Sequence, residues 1–328
     1  MPQPGRKDVH TNRPLTNISV AYIQSQESFI ADKVFPIIPV DKMSDIYYKY
    51  DKDAWFRDEA KKRAPATESE GSGYGISSDS FSCETYAFHK DVPWDVEANA
   101  DAGLDGWRDA TEFVTQKLLL KREILFNSSY MTTGVWGTDY TGTNTSPGPG
   151  QVYQWSDFTN SDPITDIDNA KEAIHSQTGY MPNTMVIGSQ VLRYLKNHPD
   201  ILDRIKYTQR GVVTLDLLAA LFEVPRIVVA RSIKATANEG QATQTYDYIT
   251  GKIAWLGYVE PNPGLMKPSA GYIFAWKNLS KVAGNGYGTA ISQFEMRQLK
   301  ADRVEGEMCF DQKIVAPDMG VFFNTIVA

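Results

Sequence analysis

The period of apolar and polar positions changes several times along the chain, and each change marks a different element. Residues 1–28 are polar and proline-rich, with a brief alternation at Ile18, Val20 and Tyr22, and are expected to form an arm. Residues 29–43 carry the run Val34-Phe35-Pro36-Ile37-Ile38-Pro39-Val40. Its two prolines exclude a central strand or a helix interior, so an extended edge segment is expected there.

Residues 44–92 read as one long hairpin. The first strand is aromatic and β-prone yet saturated with charge, from Ile46 through Tyr48, Lys49 and Tyr50 to Trp55, Phe56, Arg57, Asp58 and Glu59. Lys61, Lys62 and Arg63 follow, then a turn zone from Glu68 to Gly75. The second strand, Ser80 to Lys90, alternates Phe81, Cys83, Thr85 and Ala87 against Glu84, Tyr86 and Phe88. A hairpin this charged cannot bury either face in its own core, so it calls for a partner chain.

The period then becomes helical. Leu104, Trp107, Val114, Leu118 and Leu125 fall on one side of a helix over residues 98–130, and Phe113 and Leu120 broaden the stripe. Lys117, Lys121, Arg122 and Glu123 fill much of the rest, and Asp101 or Asp105 supplies the N-cap. About 25 helical residues would span roughly 38 Å. The loop 132–150 ends Ser146-Pro147-Gly148-Pro149-Gly150 and marks a boundary.

Residues 163–278 alternate helix and strand. The pattern predicts a helix over Ile164–Thr178 and a strand over Thr184–Ile187. Helices follow near Gln190–Lys196 and Leu215–Phe222, then strands over Arg226–Ala230, Lys252–Val259 and Tyr272–Trp276. Residues 280–328 read as a β-rich return, with strands Ser292–Leu299 and Glu307–Val315 around a turn at Lys300–Arg303. The fold class is α+β.

Composition narrows the function. With 328 residues and 42% hydrophobic positions, the chain can build a sizeable core in two packed units. A net charge of -7 argues against a nucleic-acid coat, although an acidic wall would let an enclosed polymer slide past it. Two cysteines, Cys83 and Cys309, make no disulfide framework. No signal peptide or membrane span is legible, so synthesis in a cytoplasm is expected.

Catalytic spacings are sparse. None of His10, His89, His175 and His198 belongs to a zinc-binding motif, and the glycine runs at 71–75 and 284–288 lack a phosphate-loop pattern. Asp166, Asp168 and Asn169 could suggest a cation site, but their place at a helix start is better explained by capping. No enzyme activity, cofactor or metal is expected.

The order of pieces carries a resemblance. Arm, charged hairpin, long helix, α/β unit and β-rich return is the order in the major capsid proteins of tailed phages, the Hong Kong ninety-seven-like fold. Three stretches strengthen it: Phe29 to Pro36 leading into Tyr47–Tyr50 and Trp55–Ala60; Gly179 to Ile187; and Val315 to Gly320. The resemblance implies an N-terminal arm (1–28), a strand leading into the peripheral domain (29–43) and an extended loop (44–92). It further implies a spine helix of the peripheral domain (93–131), an axial domain (132–278) and a peripheral β-rich return (279–328).

It implies that Tyr48, Lys49, Tyr50, Trp55, Phe56, Arg57, Asp58, Glu59, Lys61, Lys62 and Arg63 lie over a neighbouring subunit. Leu104, Trp107, Val114, Leu118 and Leu125 would pack the spine helix, and Cys83 and Cys309 would fall in pieces that neighbours bring together. The implied partners are copies of the chain in hexamers and pentamers, enclosed double-stranded DNA bound without sequence preference, and portal, scaffolding and decoration proteins. The implied place is a virion capsid built in a host cytoplasm, away from any membrane. Rival readings are a nanocompartment shell of the same fold, an α/β enzyme acting through Asp166, Asp168 or His175, and a tail or adaptor ring.

Overall fold

The computed structural model describes residues 24–100, 105–206, 213–241, 243–264, 266–279 and 288–328. In chain order the elements are α1 (Ala31–Val34), β1 (Ile37–Val40), β2 (Ser44–Tyr50), α2 (Lys52–Trp55), β3 (Ile76–Ser82), β4 (Glu84–Pro93), α3 (Trp94–Ala98) and α4 (Gly106–Tyr130). There follow β5 (Thr138–Thr143), β6 (Gln151–Tyr153), α5 (Pro163–Thr178), β7 (Thr184–Gly188), α6 (Ser189–Lys196), α7 (Pro199–Ile205), α8 (Leu215–Phe222) and β8 (Arg226–Ala230). The chain continues through β9 (Ile233–Ala235), β10 (Tyr246–Tyr248), β11 (Ala254–Gly257), β12 (Gly271–Trp276), β13 (Thr289–Met296), β14 (Ala301–Ile314) and β15 (Gly320–Asn324). The architecture is α+β, as the pattern predicts. Most of the arm, together with Asp101 and Leu104, lies outside the described residues.

Helix α4 forms for reasons visible in the chain. The Asp105 carboxylate accepts from the amides of Trp107 and Arg108 at 3.1 Å, and no glycine or proline follows Gly106 within its 25 residues. Its buried stripe runs Ala110, Val114, Leu118, Arg122 and Phe126 in steps of four, with Trp107 and Leu125 half-buried at the margins. Phe113, expected to broaden the stripe, is exposed. The helix presses on β14 at Gly306, where a Cβ would stand 2.5 Å from Val114 Cγ1 and 2.8 Å from Leu118 Cδ1. A bare backbone there is what admits the helix.

Glu123, beside that stripe, is fully buried. The amide of Ile30 donates to both of its carboxylate oxygens at 3.0 Å, and the amide of Ala31 donates at 3.0 Å. The Ser232 hydroxyl adds a bond at 3.3 Å. Arg122 reaches Asp32 at 3.3 Å. These two charged residues therefore bolt the start of α1 to the long helix. Burial raises the Glu123 carboxyl above its ordinary value in spite of the bonds it accepts.

Two sheets flank α4. In the first, β14 pairs with β12 and β13 and also with β4, while β1 lies parallel to β12 at an edge. The edge place of β1 fits its Pro39. The second sheet has the order β6-β5-β15-β11-β7-β8. Its inner strands alternate between two cores. Met185, Ile187, Leu256, Val321 and Phe323 face a core closed by α5 to α8. Val186, Trp255 and Phe322 face a second core with Val114 and Phe126 of α4 and Ile273 and Phe310 of the first sheet. The two units thus share one of their cores.

The structure corrects three assignments. The hairpin is shorter than expected, because β2 pairs with β3 from Ser44↔Ser82 to Tyr50↔Ile76, whereas Glu84–Pro93 pairs with β14. The switch falls at Cys83, which turns inward with Phe81 into a small core. Strand β12, expected in the α/β unit, belongs to the first sheet. There Gly271 admits the ring of Phe35, too close for any side chain at that position. Strand β15, expected in the peripheral return, lies in the middle of the second sheet, between β5 and β11. Its Val321-Phe322-Phe323 run is buried on both faces, as a central strand requires.

Candidate functional site

The stem of the hairpin is anchored from below. Tyr47 and Phe81 pack on Phe274, with ring centroids 5.5 and 4.5 Å away. Asp79 accepts from Lys49 at 2.9 Å and from the Tyr47 hydroxyl at 3.2 Å. The Lys49 ammonium holds the Asp79 carboxyl below the usual carboxylate range, and burial pushes the Tyr47 phenol up. Lys49, expected at an interface, is thus held within its own hairpin.

The outer face is different. Tyr48, Trp55 and Phe56 are 65%, 56% and 63% exposed, and Ile46, Tyr50, Tyr74 and Ile76 are exposed as well. Asp51 caps α2 through the Asp53 amide at 3.1 Å. This turns Trp55 toward Tyr50 and Tyr74, with ring centroids 6.4 and 5.7 Å apart. Such a group of rings in water is an uncovered contact surface. Ile46, Tyr74 and Ile76 were not singled out from the sequence. Tyr74 is hidden among glycines in the turn zone, and only its aromatic character could have flagged it.

Beyond the rings lie the predicted charges. Arg57, Asp58, Lys61, Lys62 and Arg63 are exposed, and Glu59 is half-buried. Lys61 pairs with Glu70 at 2.9 Å, Arg57 stands 3.9 Å from Glu59, and the Ser72 hydroxyl bonds Glu59. Exposed pairs of this kind contribute little stability. They can still set register against a partner by charge complementarity.

The residues of the enzyme reading do not converge. Helix α5 is capped by Asp162, which accepts from the amides of Ile164 and Thr165 at 3.1 Å, so Asp166 and Asp168 are not its caps. Pro163 at the first helical position starts the helix earlier than its apolar pattern suggests. Asp168 pairs with the buried Lys171 at 2.7 Å, His175 is exposed, and Asp166 accepts from Trp155 Nε1 at 2.9 Å. Asp168 and His175, seven residues apart, share a face but stand two turns from each other, and Asp166 points away from both toward Trp155. Among the described residues no cluster of His, Cys, Asp and Glu could hold a metal ion.

Burial, with the Asp162 charge adding to it, pushes the Asp166 carboxyl up to about 6. Its folded value therefore exceeds the unfolded value of about 3.9. The stability it contributes is full below about pH 4 and is lost as the pH rises through about 6. Asp166→Asn keeps an oxygen for Trp155 and removes this penalty. It is expected to unfold in urea at a higher midpoint than the parent at pH 7.5, by about 1–3 kcal/mol, and with no difference at pH 4. A variant less stable at both pH values would refute this.

Cys83 and Cys309 are free, buried and packed in one small core of the same chain with Phe81, Tyr272 and Phe274. This corrects the expectation that neighbouring subunits would bring them together. Burial pushes the Cys83 thiol up to about 12, which leaves it protonated and unreactive.

No family model matches the chain. Over almost its whole length it is similar to two curated proteins. It is 29% identical to the major capsid protein of Burkholderia phage BcepMu over 321 residues, covering 95% of each chain. It is 26% identical to the major capsid protein of Pseudomonas phage JBD67 over 345 aligned positions, covering 96% of each. The chain is thus similar, along nearly its whole length, to phage major capsid proteins.

Solved structures agree on the fold. A phage-related protein of Bordetella bronchiseptica RB50 superimposes with a TM-score of 0.68 at 24% identity, over 92% of this chain and 93% of that one. The capsid of cyanophage P-SCSP1u gives a TM-score of 0.60 at 13% identity, over 97% and 93%. The SrpI encapsulin complex of Synechococcus elongatus gives 0.57 at 11%, over 96% and 92%. Likenesses this distant speak to the capsid fold alone.

Proposed function

We propose that the chain assembles with copies of itself into a closed icosahedral shell of hexamers and pentamers that encloses the double-stranded DNA of a tailed phage. The observation that carries this reading is the hairpin, whose outer rings are exposed and enter no core among the described residues. Each hairpin lies over a neighbouring subunit and buries Tyr48, Tyr50 and Trp55 there. Arg57, Asp58, Glu59, Lys61, Lys62 and Arg63 set the register. Helix α4 and the β14 sheet act as the peripheral domain, and the second sheet with α5 to α8 acts as the axial domain. Residues 1–28 act as an arm.

The role is structural and its mechanism is assembly, without catalysis. Individual contacts are modest and sum over many copies. The net charge of -7 leaves the enclosed DNA repelled rather than bound. Portal, scaffolding and decoration proteins are the further partners, and assembly takes place in the host cytoplasm before the protein ends in the virion.

The test is expression of the full chain followed by sizing and negative-stain electron microscopy. Closed particles or flat hexagonal sheets are expected. Rings, tubes or a uniform monomer at every concentration would count against the shell. Nuclease-protected nucleic acid would support the phage reading, and a co-purifying enzyme would turn it toward a nanocompartment.

A further inference from the structure

Beyond its stem, the hairpin touches its own chain at the far end. Lys52 Nζ lies 2.6 Å from Asp318 Oδ2. The ring of Phe56 stands 3.8 Å from the point where a Cβ on Gly179 would sit. Lys52 and Phe56 are four residues apart across α2 and its C-cap, so they share a side of that short helix. Trp55 turns the other way, toward Tyr50 and Tyr74.

The receiving side is firm. Asp318 belongs to the 3-10 turn Pro317–Met319 that carries the chain from β14 to β15. Its Cα would lie 2.9 Å from a Cβ on Gly137, and the amide of Gly137 donates to the Pro317 carbonyl at 2.9 Å. Gly179 closes α5 with φ 73 and an amide bond to the His175 carbonyl at 2.8 Å. Both points sit on packed elements, whereas the hairpin, among the described residues, is otherwise held through β2 and β3. The ion pair is exposed, at 42% and 40% for its two side chains, so it adds little to folding. It can nevertheless bias the direction of a long, otherwise unsupported ribbon.

We propose that the Lys52–Asp318 pair, with Phe56 against Gly179, is an anchor within one subunit that holds the hairpin in the direction in which its aromatic face is offered to a neighbouring copy. The role rests on the shell reading above, while the anchor itself does not. The ring group stays uncovered while the contact is made, so the anchor presents that surface instead of hiding it. Fixing the ribbon beforehand removes ordering cost from the docking step.

The test is a charge swap read in two ways. Amide hydrogen exchange over residues 50–56 is measured on dispersed subunits, and assembly is followed by light scattering. Lys52→Asp alone and Asp318→Lys alone are each expected to speed exchange and slow assembly by about two- to fivefold. The double variant Lys52→Asp/Asp318→Lys is expected to restore both. An equimolar mixture of the two single variants is expected to restore neither, because the pair must form in one chain. Recovery in the mixture would mean that the pair bridges subunits and would overturn the anchor, as would unchanged exchange in the dispersed single variants. If exchange follows the pairing and no variant or parent forms particles, the anchor stands and the shell reading falls.

Discussion

Glu123→Ala is expected to cost the folded subunit about 3 kcal/mol or more, measured by urea unfolding at pH 7.5. The loss has a definite source. The amides of Ile30 and Ala31 point at the Glu123 carboxylate from a fully buried segment, and the Ser232 hydroxyl shares it. Truncation leaves two buried donors without an acceptor and opens a void at the contact of α1 with α4. Glu123→Gln keeps one carbonyl oxygen and sheds the burial penalty on the charge, so its cost is expected to be about 1 kcal/mol. In Glu123→Ala, proteolysis should open the chain between residues 24 and 36 first. Equal losses in the two variants would show that the two acceptor oxygens of the carboxylate, and not the volume of the side chain, hold this segment.

Replacing residues 51–75 by Asn-Gly is expected to abolish shells while leaving the subunit folded. The cut follows the register: Tyr50 faces Ile76 at the end of the β2–β3 ladder, and two residues close such a pair in the turn hairpins prefer. Everything removed is exposed or half-buried, so the melting temperature should stay within about 2 °C of the parent. The wider deletion that the sequence suggests, residues 45–91, would take out most of β4 and with it a ladder along β14. It would confuse unfolding with failure to assemble. Normal particles from the narrow cut would end the view that the hairpin binds neighbours.

The two variants also mark where sequence reading succeeds and where it stops. Val114 and Leu118 were legible because apolar side chains at helical spacing have one economical place to go. Arg122 and Glu123 were not, since charged residues are normally placed in water and their burial depends on partners almost a hundred residues away. The hairpin was legible as a surface needing a partner, because its charges and rings fit no core. Its second strand was misplaced because Phe81 and Cys83 continue the alternation smoothly into β4, and only pairing with β14 breaks it. The sheet membership of β12 and β15 was out of reach, as local period says nothing about which distant strand lies alongside.

The place of β15 governs when the subunit can be completed. It separates β5 from β11, which have no direct pairing, and it lies later in the chain than every other strand described. A ribosome will already have delivered β5, β7, β11 and the helices around them as two part-sheets with raw inner edges. Those edges close when residues 320–324 arrive, and Ile326 and Val327 then seal the helix side. A nascent or prematurely terminated chain is therefore left without the middle of this sheet. Closure of this sheet waits on a strand that follows all of its neighbours in the chain, and the unit forms as a whole or not at all.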